Sequence, residues 1–189
     1  SRHQPQADRR RTGQQPVDRA GHALGQPATV KHWPLLLAAG LACLPGMALA
    51  ETISGRVSAI VDGDTLTLVD ARHRQHHIRL AAIDAPERLQ AFGEAARSHL
   101  AAMAFNQPAS ASCDRRDNKG RAICRVTVGP RDLGLEQIRA GMAWWYGQES
   151  QYQPLKERQD YEQAEFQAKI RRFGLWNSKN PLPPWEWRR

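Results

Sequence analysis

Between Thr52 and Ile83 the apolar residues come in short alternating runs separated by turns, and this patterning constrains the fold more than any other feature of the chain. Ile53, Val57 and Ile60-Val61 lead into Asp62-Gly63-Asp64. Leu66, Leu68 and Val69 follow, with Thr65 and Thr67 between them, and after the turn Asp70-Ala71-Arg72-His73-Arg74-Gln75 the strand pattern resumes over residues 76–83. A period of two sends successive side chains to opposite faces, so the stretch predicts three antiparallel strands. The period then lengthens. Ala95, Ala96, Leu100, Met103 and Ala104 share one helical face, with Glu94, Arg97 and Ser98 elsewhere, which predicts a helix between Phe92 and Phe105. Cys113 and Cys124 flank a polar turn and add two strands. A second helix is expected over residues 133–141, ended by Gly141, and a third from Pro154 to Arg172, with Gly174 just beyond. The prolines at 181, 183 and 184 prevent its continuation. Five short strands with inserted helices suggest a small closed barrel, a shape that commonly binds nucleic acid across one face.

The first fifty residues read differently. Residues 1–31 hold scarcely any large apolar side chain before Leu24, so they cannot offset the entropy of ordering a backbone. They read as a disordered extension, or as sequence upstream of the true start. Residues 32–50 read as a signal peptide: an apolar run from Leu35 to Leu44 follows Lys31 and His32 and ends in Ala48-Leu49-Ala50. The expected location is therefore exported, periplasmic or secreted, with an uncleaved membrane anchor as the lesser alternative; the run is too short for a stable bilayer span. From Glu51 onward the chain carries 21 Lys and Arg against 17 Asp and Glu, so 21 − 17 = +4 replaces the +8 of the whole sequence. That modest surplus suits a polyanionic partner without requiring one. Export would permit a disulfide between Cys113 and Cys124, which a narrow hairpin can bring within the roughly 7 Å that a bridge tolerates.

Two acidic bends carry the chemistry. Asp62-Gly63-Asp64 stands where one strand ends, and Asp84-Ala85-Pro86-Glu87 follows Ile83 across a bend that Pro86 enforces. The first, taken alone, reads as a hairpin turn. Two such bends at the ends of neighbouring strands can meet at one end of a barrel, and a hard cation such as calcium or magnesium is the natural occupant. Arg79 precedes Asp84 by five residues, and Arg121 leaves the cysteine hairpin after Gly120. The rigid guanidinium fork suits phosphate oxygens better than an ammonium does, so arginines beside spare carboxylates point to a phosphodiester site.

The stretches 57–66, 78–87, 117–121, 138–144 and 172–176, in this order and spacing, resemble the thermonuclease (staphylococcal nuclease-like) family. They include Val61-Asp62-Gly63-Asp64-Thr65, Ile83-Asp84-Ala85-Pro86-Glu87, Lys119-Gly120-Arg121 and Phe173-Gly174-Leu175-Trp176, and the resemblance covers residues 53–178. It implies a mainly β fold with helices, namely a five-stranded OB-type barrel with three α-helices. It also implies a Ca²⁺-dependent phosphodiesterase that hydrolyses DNA and RNA to 3′-phosphate products. Asp64 and Asp84 match the carboxylate ligands of calcium, Ala85 the residue that adds a backbone carbonyl, and Asp62 an acidic neighbour behind them. Glu87 matches the general base, and Arg79 and Arg121 the pair that grips the phosphate.

The domain is expected over residues 51–178, with a Pro- and Trp-rich tail over 179–189. Lys119 stands where the family commonly has tyrosine, and with Trp145, Tyr146 and Tyr152 it is a candidate substrate contact. His73, His76 and His77 have no carboxylate at a firm spacing and read as solvated. DNA and RNA are the expected partners of a monomer with no stable protein partner and no organic cofactor. The alternative is a noncatalytic nucleic-acid or protein-binding module on the same barrel, since a fold does not fix a function.

Overall fold

The computed structural model describes residues 51–189, so the readings made for 1–31 and 32–50 lie outside the described residues. Five strands form the body: β1 (Glu51–Ile60), β2 (Thr65–Asp70), β3 (Gln75–Leu80), and, after the two-residue β4 (Ile83–Asp84) and helix α1 (Gly93–Ala104), β5 (Pro108–Arg116) and β6 (Ala122–Val128). They are joined antiparallel in the order β3-β2-β1-β5-β6. The ring then closes because β3 also pairs with β6, in parallel, through Ile78↔Ala122, Arg79↔Ile123 and Leu80↔Cys124. Closure leaves no open edge among the five strands, as the expected OB-type barrel requires.

Val57, Leu66, Leu68, Ile78, Leu80, Ala111, Cys124 and Val126 are buried in the core. In β2 the two threonines are buried as well, although alternation predicts a wet face there. Their hydroxyls are occupied rather than hydrated: Thr65 Oγ1 donates to Asp64 Oδ1 at 2.9 Å, and Thr67 Oγ1 lies 3.2 Å from His77 Nδ1. Cys113 and Cys124 are register partners on β5 and β6 and form a disulfide, their Cα atoms 4.0 Å apart. This agrees with the hairpin expected around them.

The helices cover the barrel. Helix α1 buries Ala96, Leu100, Met103 and Ala104 of the face predicted from the sequence, while Ala95, expected with them, is exposed. After β7 (Arg131–Asp132), helix α2 (Leu133–Arg139) starts on Asp132, whose side chain accepts the Leu135 N–H. It ends as expected at Gly141, where φ is 66°; Gly141 N–H donates to Ile138 O and Met142 N–H to Gln137 O, which satisfies two of the last carbonyls. Beyond β8 (Trp144–Trp145) and a 3₁₀ segment (Gly147–Tyr152) comes α3 (Leu155–Ile170). It closes on Arg172, with a left-handed φ of 54°, and Gly174 just beyond is left-handed too, with φ 51°. Gly174 also serves a packing need, since a Cβ there would sit 2.2 Å from Gly141 O.

The tail departs from expectation. Helix α3 ends at Ile170, ahead of the tail prolines, and Pro184 opens a further single turn, α4 (Pro184–Trp187), a position where a missing N–H costs nothing. The three expected helices are thus joined by a fourth, short one. Among the described residues no helix is long and apolar enough to cross a membrane.

Candidate active site

The first acidic bend is built by contacts from both sides. Asp62 Oδ1 accepts the Asp64 N–H at 3.0 Å, which tightens the turn between β1 and β2. Gly63 is not there for a left-handed φ. A Cβ at Gly63 would lie 2.6 Å from Ala96 Cβ and 2.7 Å from Ala85 Cβ, so the glycine permits close packing of α1 and the second acidic bend. Gln137, fully buried on α2, donates to Gly63 O at 2.6 Å and Ala96 O at 3.0 Å and fixes the turn from below. The second bend is tied to the first through Asp64, whose Oδ2 accepts the Ala85 N–H at 3.0 Å. Asp84 is held in β4 by pairing with Trp144 of β8.

These residues open onto one cleft of about 470 Å³. Asp62, Asp64, Arg79, Asp84, Ala85, Glu87, Lys119 and Arg121 all line it, as does Tyr146. Trp145 and Tyr152 do not. The Trp145 ring N–H donates to Gln153 Oε1 at 3.0 Å while the side chain packs on the core. Tyr152 lies beneath the Arg115 guanidinium, 4.0 Å from it, in a neighbouring cleft.

Several residues at the cleft were not among the site residues expected from the sequence. Asp117 accepts from Arg121 Nε at 2.7 Å and from the Arg121 backbone N–H at 2.9 Å, while Arg121 Nη1 donates to Thr65 Oγ1 at 2.9 Å. Glu149, from the 3₁₀ segment, accepts from Arg79 Nη1 at 2.9 Å. Arg188, just past α4, reaches back to the acidic bends, with Nη2 2.6 Å from Asp84 Oδ2, and Nη1 3.1 Å from Asp84 Oδ1 and 2.8 Å from Glu87 Oε1. Trp185 accompanies it, with its ring 6.2 Å from Trp144 and 5.5 Å from Tyr146. A basic residue following the Trp-rich tail was the only available hint of Arg188. The expectation that the histidines lack a carboxylate also needs correction: the turn folds back and brings His76 Nε2 to 2.9 Å from Asp70 Oδ2.

Clustered, partly desolvated carboxylates raise one another's affinity for protons. Asp62 is pushed up to about 6, by burial first and then by the charge on Asp64. Asp84 is raised by burial, with Asp64 adding to the shift and the Arg188 hydrogen bonds opposing it. Burial pulls the Arg79 pKa down, but Asp64, Glu149 and Asp84 outweigh this and raise it, so the guanidinium stays charged. Arg188 is raised chiefly by its hydrogen bonds to Asp84.

Among the described residues no three His, Cys, Asp or Glu side chains converge as a preformed metal cage. Asp64 and Asp84, buried and adjacent, nonetheless offer hard oxygen donors of the kind a divalent cation takes, with carbonyl and water oxygens completing its shell. In this structure the Arg188 guanidinium provides positive charge at Asp84. The donor set therefore fits a hard cation better than a soft one.

A family model described as staphylococcal nuclease homologue matches residues 77–178. The chain belongs to the staphylococcal nuclease family. The matched region contains Arg79, Asp84, Glu87 and Arg121, whereas Asp62 and Asp64 precede it. Among curated relatives, an uncharacterized endonuclease of Haemophilus influenzae is 36% identical over 134 residues, covering 71% of this chain and 72% of that one. Protein ParB of Escherichia coli is 36% identical over 150 residues, covering 72% and 80%. The micrococcal nuclease of Shigella flexneri is 36% identical over 145 residues, covering 71% and 80%. As a member of this nuclease family the chain is a hydrolase of nucleic acids.

Proposed function

We propose that the chain is a Ca²⁺-dependent nuclease that hydrolyses DNA and RNA to 3′-phosphate products. The observation that carries this reading is the convergence on one cleft of two arginines from separate elements with the carboxylates of both acidic bends. Asp64 and Asp84, with the carbonyl of Ala85, would hold the cation, and Asp62 supports the turn that presents Asp64. Bound calcium supplies a positive charge for a phosphate oxygen and a coordination place for water.

The remaining chemistry belongs to side chains. The Glu87 carboxylate accepts a proton from the attacking water, whose oxygen forms a bond to phosphorus. The P–O5′ bond breaks, so the phosphate stays on the 3′ side, and the departing 5′ oxygen takes a proton from solvent water and leaves as a 5′-hydroxyl. Arg79 and Arg121 donate to the non-bridging oxygens, where charge accumulates in the transition state. For this, Arg188 must release Glu87 and Asp84. Lys119 meets the substrate backbone and Tyr146 offers its ring to a base, a contact worth about 1–3 kcal/mol with little sequence preference. A monomeric enzyme with no stable protein partner belongs to this reading. The export signal over 32–50, the catalytic domain over 51–178 and the tail over 179–189 belong to the same proposal.

The test is incubation of the protein with denatured DNA and with RNA, in Ca²⁺ and then in excess chelator, followed by end-group analysis. Degradation in Ca²⁺ alone, with 5′-hydroxyl and 3′-phosphate ends, is expected. Products with 5′-phosphates would contradict the assigned bond cleavage. Binding without cleavage under every metal condition would favour a noncatalytic module.

A further inference from the structure

Arg79 does not reach the cleft unaided. It lies on β3 between Thr65 and Ile123, its pairing partners on either side, and its side chain is only 12% exposed. Nη1 donates to Glu149 Oε1 at 2.9 Å and Nη2 to Ile83 O at 2.8 Å, so two of its five N–H groups are spent on the protein. Three remain for a phosphate. The two anchors leave the planar fork little freedom to rotate, which is the preorganisation an oxyanion binder needs.

Glu149 is itself held from three directions. Its side chain is 14% exposed, and the carboxylate accepts from Arg79 through Oε1, from the Ala82 backbone N–H through Oε2 at 2.9 Å, and lies 2.7 Å from Arg115 Nη2. Ala82 has a left-handed φ of 61°, unusual for a residue with a Cβ, and occupies the turn between Arg79 and Asp84. The carbonyl of the same residue accepts the Tyr146 N–H at 2.8 Å. Arg115 stands at a bulge in β5, where the register shifts between Cys113 and Arg115, and its guanidinium adds a second positive charge beside the Glu149 carboxylate. One carboxylate thus joins the phosphate-facing arginine to the turn that delivers Asp84.

We infer that Glu149 is the positioning residue for Arg79, fixing its guanidinium in the orientation that meets the scissile phosphate. The inference rests on the reading that Arg79 contacts that phosphate. Glutamine at this position keeps the volume but loses an acceptor, and its amide would point a donor at the N–H groups of Ala82 and Arg115. Arg79 would then lose its fixed orientation while keeping its charge. A misplaced catalytic group can cost about 100-fold in rate, and the loss falls on the chemical step.

A double-mutant cycle on the full chain tests this, using kcat and KM on denatured DNA for Glu149→Gln, Arg79→Ala and the pair. Glu149→Gln is expected to lower kcat by about 10- to 100-fold with little change in KM, and to have no further effect once Arg79 is alanine. Independent, multiplicative losses would overturn the inference, as would an unchanged kcat in Glu149→Gln. No loss in Arg79→Ala would overturn the reading of Arg79 and this inference with it. A measurement independent of turnover separates positioning from general damage: NMR of the arginine guanidinium groups in the substrate-free protein. Resolved, slowly rotating Arg79 Nη signals are expected in the wild type, averaged in Glu149→Gln while the backbone spectrum is retained. Equally restricted Arg79 signals in both proteins would overturn it.

Discussion

Gly63 has room for a hydrogen and nothing more, because the Cβ atoms of Ala96 and Ala85 occupy the space beside it. Gly63→Ala should therefore destabilise the protein by about 1–3 kcal/mol, the usual cost of overpacking, and slow nucleic-acid hydrolysis by displacing Asp62 and Asp64. Chemical denaturation and a turnover assay would check both effects; full stability with full activity would mean that the bend tolerates the methyl group. At this scale much of the site was legible. Asp62, Asp64, Asp84, Ala85, Glu87, Arg79 and Arg121 were all picked out in the sequence, and all line one cleft. Each sits in or beside a short motif whose spacing carries information. Glu149 and Arg188 do not: one contacts Arg79 across 70 residues and the other contacts Asp84 across 104, and only the folded chain brings such pairs together.

Elements were legible in proportion to their periodicity. The apolar face of α1 and the left-handed glycine that ends α2 follow from pattern and capping chemistry. The two-residue strands β4, β7 and β8 have no period to read, and the left-handed backbone at Arg172 has no signal in its residue type, since glycine is the usual occupant of that region. Helix α4 is too short to leave a pattern, yet it determines where Arg188 stands. Pro184 is buried beneath this turn, Trp185 packs beside Trp144 and Tyr146, and the Arg188 guanidinium covers the carboxylates of Asp84 and Glu87. A cation entering at Asp84 must displace it. Arg188→Ala should therefore tighten Ca²⁺ binding by about threefold to tenfold, measured by calorimetry on the substrate-free protein. Unchanged or weaker binding would show that the arginine does not compete for that carboxylate.

The barrel as a whole depends on a contact the strand pattern could not supply. Alternation gave three strands and the cysteine-flanked turn two more, but the parallel pairing of β3 with β6 joins segments some forty residues apart and sets Arg79 opposite Ile123, close to the hairpin that carries Arg121. Closure is what turns two separate acidic bends and two separate arginines into one cleft; the strand pattern suggested a closed barrel but not which two strands pair to close it. The central claim, that these groups act together on a phosphodiester, is tested most directly by the hydrolysis rate of denatured DNA in saturating Ca²⁺ for the wild type, Arg121→Ala and Glu87→Gln, with folding verified for each. The account predicts that each variant loses at least about 100-fold in kcat, the scale of removing one transition-state contact. A variant that folds normally and turns over at the wild-type rate would contradict it.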